Sequence, residues 1–205
     1  MSKSEDAAAD TRVRLIQAAR EAFMKEGYRA SVDRIAARAG VAKQTLYNHF
    51  PGKDELFSEA ASLAAAEIVV TLDGQTDDLH KSLFRFAETF RQKALGDEGL
   101  AMFRALISEA PRFPALTQAF FAKGPDHTVS RLADFLGRAM ADGRMRRDDP
   151  RFAAEILLGM LGGIEHVRRL CMAPGPEVAE TDRTGQIVDC FLRAYAPDFK
   201  LRNQA

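Results

Sequence analysis

Residues 31–57, SVDRIAARAGVAKQTLYNHFPGKDELF, constrain the fold more than any other stretch, because two short helical patterns meet there at a glycine. In the first, Val32, Ile35, Ala36 and Ala39 recur at the three-to-four spacing that puts apolar groups on one helix face. Ser31 stands at the N-cap, where its hydroxyl is expected to accept from an unpaired backbone N–H, and Asp33 suits the positive end of the helix. Gly40 supplies the left-handed residue at which such a helix stops. Val41 then packs back, and a second helix is predicted from about Ala42 to His49. The pattern is a helix-turn-helix.

The second helix divides into two sides. Leu46 and Phe50 join Val41 on an inward face, which leaves Lys43, Gln44, Thr45, Tyr47, Asn48 and His49 outside. Such a donor-rich set suits the major groove of DNA, where Lys reaches guanine O6 and N7, Gln pairs with an adenine edge and Thr meets a thymine methyl. The same six residues could also be an ordinary solvated face, so the flanking sequence has to decide. Upstream, Val13, Ile16, Ala19 and Phe23 form the stripe of an amphipathic helix predicted from about Thr11 to Glu26 and ended by Gly27. From Thr11 to Lys53 there are nine cations (residues 12, 14, 20, 25, 29, 34, 38, 43 and 53) against three acids (21, 26 and 33), a balance of +6. The whole chain has 29 residues of each sign, so the remainder carries −6. A basic first quarter on an acidic body points to a polyanion-binding module.

The run GVAKQTLYNHFPGKDELF, preceded by AxxxFxxxGY at Ala19, Phe23, Gly27 and Tyr28, resembles the motif of the TetR family of transcriptional regulators. The resemblance covers residues 11–57 without a gap. It implies base contacts from Lys43, Gln44 and Tyr47, with Asn48 on the same face, and phosphate contacts from Thr45, His49, Lys53 and Ser31. Phosphate contacts set the register, and base contacts supply sequence choice. Two positions depart from the family pattern. Ala42 replaces the usual Ser or Thr cap of the recognition helix, a loss of about 0.5–2 kcal/mol, and Pro51 precedes Gly52 in the turn before Lys53.

The expected architecture is all-α: a three-helix DNA-binding domain with helix-turn-helix, followed by a larger helical ligand-binding and dimerisation domain. The expected divisions are a flexible tail at 1–10, the DNA-binding domain at 11–57 and the effector-binding and dimerisation domain at 58–205. No run approaches the roughly twenty apolar residues of a membrane span, and residues 1–10 have no signal-peptide core, so a cytoplasmic protein is expected. Cys171 and Cys190 are too few for a disulfide framework or a zinc site and read as packed small residues. No nucleophile with a base, no paired-carboxylate site and no metal-ligand spacing is found. The expectation is therefore no enzyme, no cofactor and no metal. A helical ligand- or protein-binding scaffold without sequence-specific DNA binding is the alternative.

Beyond the basic module, a long helix is predicted from Gly52–Asp54 to about Leu72, broken by DGQTDD. Helices follow with Leu79, Leu83, Phe86 and Phe90 on one side, near Asp97–Glu109, through LTQAFFAKG to Gly124, and from Pro125 to Asp142 and Gly143. The last two run from about Asp149 to Cys171 and from about Glu180 to Tyr195. Eleven of the fourteen phenylalanines lie between Phe84 and Phe199. A body so rich in aromatic and flexible apolar groups can enclose a hydrophobic small molecule or simply be a packed core. The family resemblance favours a pocket, with Phe103, Phe120, Phe121, His127, Met160 and His166 as candidate lining residues. The segment ISEAPRFPAL resembles the C-terminal half of an AefR-like subgroup of these regulators.

The penultimate helix has an apolar arc too wide for one buried face, and Gly159, Gly162 and Gly163 within it cost about 1 kcal/mol each relative to alanine. Close backbone approach is expected to compensate. By resemblance this helix and the last pair with their twins in a homodimer. The expected interface is Phe152, Ile156, Met160, Gly163, Ile164 and Val167 with Ile187, Val188, Phe191 and Leu192. The expected partners are a palindromic double-stranded operator, a second copy of the chain and a hydrophobic effector that releases the DNA.

Overall fold

The computed structural model describes residues 3–73, 78–175 and 180–197. Phe199, Met1 and Ser2 lie outside them, as does most of the expected break at DGQTDD. The described residues form α1 (Lys3–Glu26), α2 (Val32–Arg38), α3 (Lys43–His49), α4 (Lys53–Val69) and α5 (Leu79–Ala94). They continue with α6 (Asp97–Glu109), α7 (Pro114–Lys123), α8 (Pro125–Ala141), α9 (Pro150–Leu170) and α10 (Glu180–Ala194), and no strand occurs among them. The fold is all-α. Helix α1 starts eight residues before the expected Thr11, within the segment read as a flexible tail. The added turns include Ala7, Ala8 and Ala9, the best helix formers.

The chain forms two compact units that are not contiguous in sequence: 1–65 with 97–125, and 66–96 with 126–205. Packing thus divides the chain inside α4, not at residue 57. In the first unit, Leu15, Ile16, Ala19 and Phe23 of α1 share a core with Ile35, Leu46, Phe50, Leu56 and Phe57. Met102, Ala105 and Leu106 of α6 and Leu116 and Phe120 of α7 complete that core, which ties two helices of the C-terminal half to the helix-turn-helix. Val13, expected on the α1 stripe, is 49% exposed; the buried face runs through Leu15 and Ala18 instead.

The second unit closes on Leu83 and Phe86 of α5, Leu132 and Leu136 of α8, Leu157 and Leu161 of α9, and Val188 and Phe191 of α10. Inside it lies Arg91, 2% exposed, which donates to the Leu161 carbonyl at 2.7 Å and to Glu165 Oε2 at 2.9 Å. Glu165 also receives Arg169 at 2.7 Å and Arg183 at 3.4 Å. Burial alone would raise the Glu165 carboxyl, but the Arg91 guanidinium and its two neighbours outweigh it and hold the group below the usual range. Leu161 lies two residues before Gly163, where α9 breaks with φ 46° and ψ −146°. Arg91 therefore brings a donor to the point where the backbone ladder is interrupted.

Two expectations for α9 and α10 are corrected here, the burial of Val188 and Phe191 and the exposure of both cysteines. Val188 and Phe191, expected at a dimer face, are fully buried in the core of the unit, because the α10 stripe turns them onto α5 and α9. Among the described residues of the single chain, nothing lies within 4 Å of a Cβ at Gly159 or Gly163, and Gly162 meets only His166 Cβ at 3.7 Å, which leaves this face of α9 open to a second backbone. Gly163 also forms the break in α9, in a conformation nearly restricted to glycine. Cys171 and Cys190, read as packed, are both exposed.

Candidate nucleic-acid interface

Helices α2 and α3 are joined as the sequence requires. Gly40 takes φ 70°, and the Val41 N–H donates to Ala36 O at 3.0 Å, which turns the chain into α3. Ser31 and Ala42 occupy the two N-caps in extended conformations. The Ser31 hydroxyl makes no cap bond, contrary to expectation. Helix α3 is anchored by Leu46 and Phe50, at 0% and 1% exposure, and Arg12 lies 5.2 Å over the Phe50 ring. Anchoring at these two positions fixes what the rest of the helix presents. Lys43, Gln44, Tyr47 and Asn48 are exposed, while Thr45, His49 and Ser31 are half-buried. Gln44 Nε2 donates to Asn48 Oδ1 at 3.2 Å one turn on, so the two amides are oriented together.

Two contacts were not legible in the sequence. Lys43 Nζ lies 2.9 Å from Asp33 Oδ1, and this hydrogen-bonded partner raises the lysine above its ordinary value. Lys53 Nζ stands 4.4 Å over the ring of Tyr28, and its partial burial holds the ammonium below the usual range. The Tyr28 hydroxyl donates to Asp54, and burial, reinforced by Asp54, raises the phenol. Tyr28 belongs to the GY pair in the sequence, but its role as a platform for Lys53 depends on the turn between α3 and α4. The other acids of the basic module are also engaged: Glu26 with Arg34, and Glu21 with Arg38 at 3.4 Å.

The candidate effector residues divide between the units. Phe103, Phe120 and Phe121 meet in the first, with ring centroids 5.7, 6.3 and 5.9 Å apart pairwise; Phe120 is buried and Phe121 exposed. Met160 and His166 are half-buried on α9 in the second unit, on either side of Gly163, and burial lowers the His166 imidazole. His127 is exposed near the start of α8. A concavity of about 540 Å³ in the second unit is lined by Asp134, Gly137, Arg138, Asp149 and Arg151 among others, and contains none of the six. Of the expected dimer residues, Phe152, Ile156, Ile164 and Val167 are exposed apolar groups on α9 and Gly163 is exposed; Met160, Ile187 and Leu192 are half-buried. Among the described residues, no group of three or more His, Cys, Asp or Glu side chains could hold a metal ion. No described helix is long and apolar enough to cross a membrane.

Residues 15–60 match the sequence profile of bacterial regulatory proteins of the tetR family. Residues 81–197, more than half of the chain, match the C-terminal domain of AefR-like transcriptional repressors. The chain belongs to the TetR family. It is a transcriptional regulator with a helix-turn-helix DNA-binding domain. A putative TetR-family transcriptional regulator from Mesorhizobium loti has a similar structure, with a TM-score of 0.79 and 26% identity over 96% of this chain and 100% of that one. The flavonoid-responsive regulator FrrA is 31% identical, with a TM-score of 0.66 over 92% of this chain and 98% of that one. The transcriptional activator FasR of Mycolicibacterium smegmatis is 49% identical over 49 residues, 23% of this chain and 22% of its own. The nucleoid occlusion factor SlmA of Shewanella sediminis is 24% identical over 67% of this chain and 71% of its own.

Proposed function

We propose that this TetR-family regulator is a repressor that binds a palindromic operator as a homodimer and is released by a small hydrophobic effector. The observation that carries the DNA half of this reading is α3. Leu46 and Phe50 are spent on the core, and the rest of the helix presents Lys43, Gln44, Tyr47 and Asn48 to solvent as one polar face. That face fits direct readout in the major groove, with Ser31, Thr45, His49 and Lys53 as phosphate anchors. Repression is favoured by the match to AefR-like repressors over residues 81–197, and response to a small molecule by the resemblance to a regulator named for its response to flavonoids. Effector and operator then weaken each other by the same factor, as linkage requires.

The test is selection from a random duplex pool at about 0.15 M salt, where purely electrostatic binding is suppressed. A palindrome is the expected product. On that site Lys43→Ala and Tyr47→Ala should each lose roughly tenfold or more against specific DNA and much less against random DNA, as for lost base contacts. Lys53→Ala should weaken both and lower the salt slope by about one. Unchanged operator binding by Tyr47→Ala would exclude α3 as the reading helix, and the absence of any enriched sequence would favour a scaffold that does not read DNA.

A further inference from the structure

Asp33 is the one acid between Ser31 and Lys53, a span that also holds Arg34, Arg38, Lys43 and Lys53. The positive end of α2 favours a carboxylate there, but says nothing about where the carboxylate goes. It goes to Lys43: Oδ1 and Nζ are 2.9 Å apart, joining the first turn of α2 to the first residue of α3. The adjacent Arg34 is paired with Glu26 and Arg38 with Glu21, so neither stands as Asp33's partner. The two side chains are 54% and 65% exposed, which makes the pair weak and readily exchanged for another partner.

The pair has opposite consequences on two kinds of DNA. On arbitrary duplex, moving Lys43 to a phosphate leaves Asp33 unpaired in the negative potential of the backbone. A guanine–cytosine pair satisfies both groups in the major groove, since guanine O6 and N7 accept from an ammonium and cytosine N4 donates to a carboxylate. We infer that Asp33 is a specificity-determining residue: it restrains Lys43 from the phosphate backbone, and the Asp33–Lys43 pair reads a G·C base pair in each half-site. The inference rests on the reading of α3 as the recognition helix.

The experiment compares wild type, Asp33→Asn, Lys43→Ala and the double variant on random duplex across a salt series, and repeats the pool selection with wild type, Asp33→Asn and Asp33→Ala. Thermal melts followed by circular dichroism check that the exposed substitutions leave the fold intact. Asp33→Asn should bind random duplex several-fold more tightly, with a salt slope steeper by about one released counterion; in the Lys43→Ala background the steeper slope should vanish, leaving only the gain from removing the Asp33 charge itself. Both Asp33 variants should lose a preference for G·C of roughly tenfold at one position per half-site. Equal salt slopes and equal base preferences for wild type and Asp33→Asn would overturn the role of Asp33 and leave the operator-binding reading standing. A wild type that binds random duplex but enriches no sequence would overturn that reading itself.

Discussion

At Arg91 a guanidinium with 2% exposure bridges the Leu161 carbonyl and Glu165, so removing it leaves the carbonyl without that donor and Glu165 with only Arg169 and Arg183. Arg91→Ala should therefore destabilise the protein by about 1–3 kcal/mol, the range for leaving a buried acceptor without its donor. Urea unfolding followed by far-ultraviolet circular dichroism measures it, and a loss below about 1 kcal/mol would exclude a structural role for the pair. The sign of the pH effect follows from Glu165, whose carboxyl is held below the usual glutamate value of 4.5. A depressed carboxylate contributes stability that is present above its unfolded value and lost as pH falls through the folded one. Wild type should lose stability below about pH 4.5, and Arg91→Ala should lose less over that interval. At this scale the sequence was partly legible. The face of α3 could be read because Leu46 and Phe50 declare the buried side by spacing alone. The Lys43–Asp33 and Lys53–Tyr28 contacts could not, because each joins residues on different elements across a turn.

Helix α9 carries the sharpest test among the elements. Gly163 lies at φ 46°, ψ −146°, a region that costs other residues of order 1–3 kcal/mol, whereas Gly159 is helical with open space where a Cβ would go. Gly163→Ala should lower the stability of the monomer by that order, and Gly159→Ala should raise it by up to about 1 kcal/mol. Thermal melts at concentrations low enough to keep the chain monomeric separate the two, and equal effects of one sign would exclude a break specific to Gly163. A glycine run reads identically in sequence whether it admits a neighbouring backbone or permits a positive φ, which is why the break at Gly163 was not legible beforehand. Element existence was legible throughout, since 3.6-residue periodicity, Gly27, Gly40 and Pro114 mark helices locally. Which helices pack together was not. The burial of Met102, Leu106, Leu116 and Phe120 with Phe23 and Phe57 depends on pairings tens of residues apart.

For the molecule as a whole, the consequential feature is the apolar side of α9 that no other described part of its unit covers. Phe152, Ile164 and Val167 are 52%, 58% and 52% exposed, and Ile156 follows Phe152 by one turn. Exposed apolar groups of this size gathered on one helix mark an interaction surface. A second copy of the chain is the occupant proposed here, in a two-fold arrangement where the same face serves both partners. The burial of Val188 and Phe191 narrows that face to α9, with contributions from Ile187 and Leu192. Ile164→Lys tests it, because a surface position leaves folding within about 0.5 kcal/mol, while an ammonium in an apolar interface is costly. Light scattering at micromolar concentration should give twice the chain mass for wild type and one chain mass for the variant. Operator affinity should fall with it, since a monomer engages one half-site and forfeits an avidity of about 10²–10⁴, whereas binding to an isolated half-site should be unchanged. A wild type that is monomeric under these conditions would remove the dimer. The spacing of two half-sites at one helical turn or a multiple would then have no structural basis.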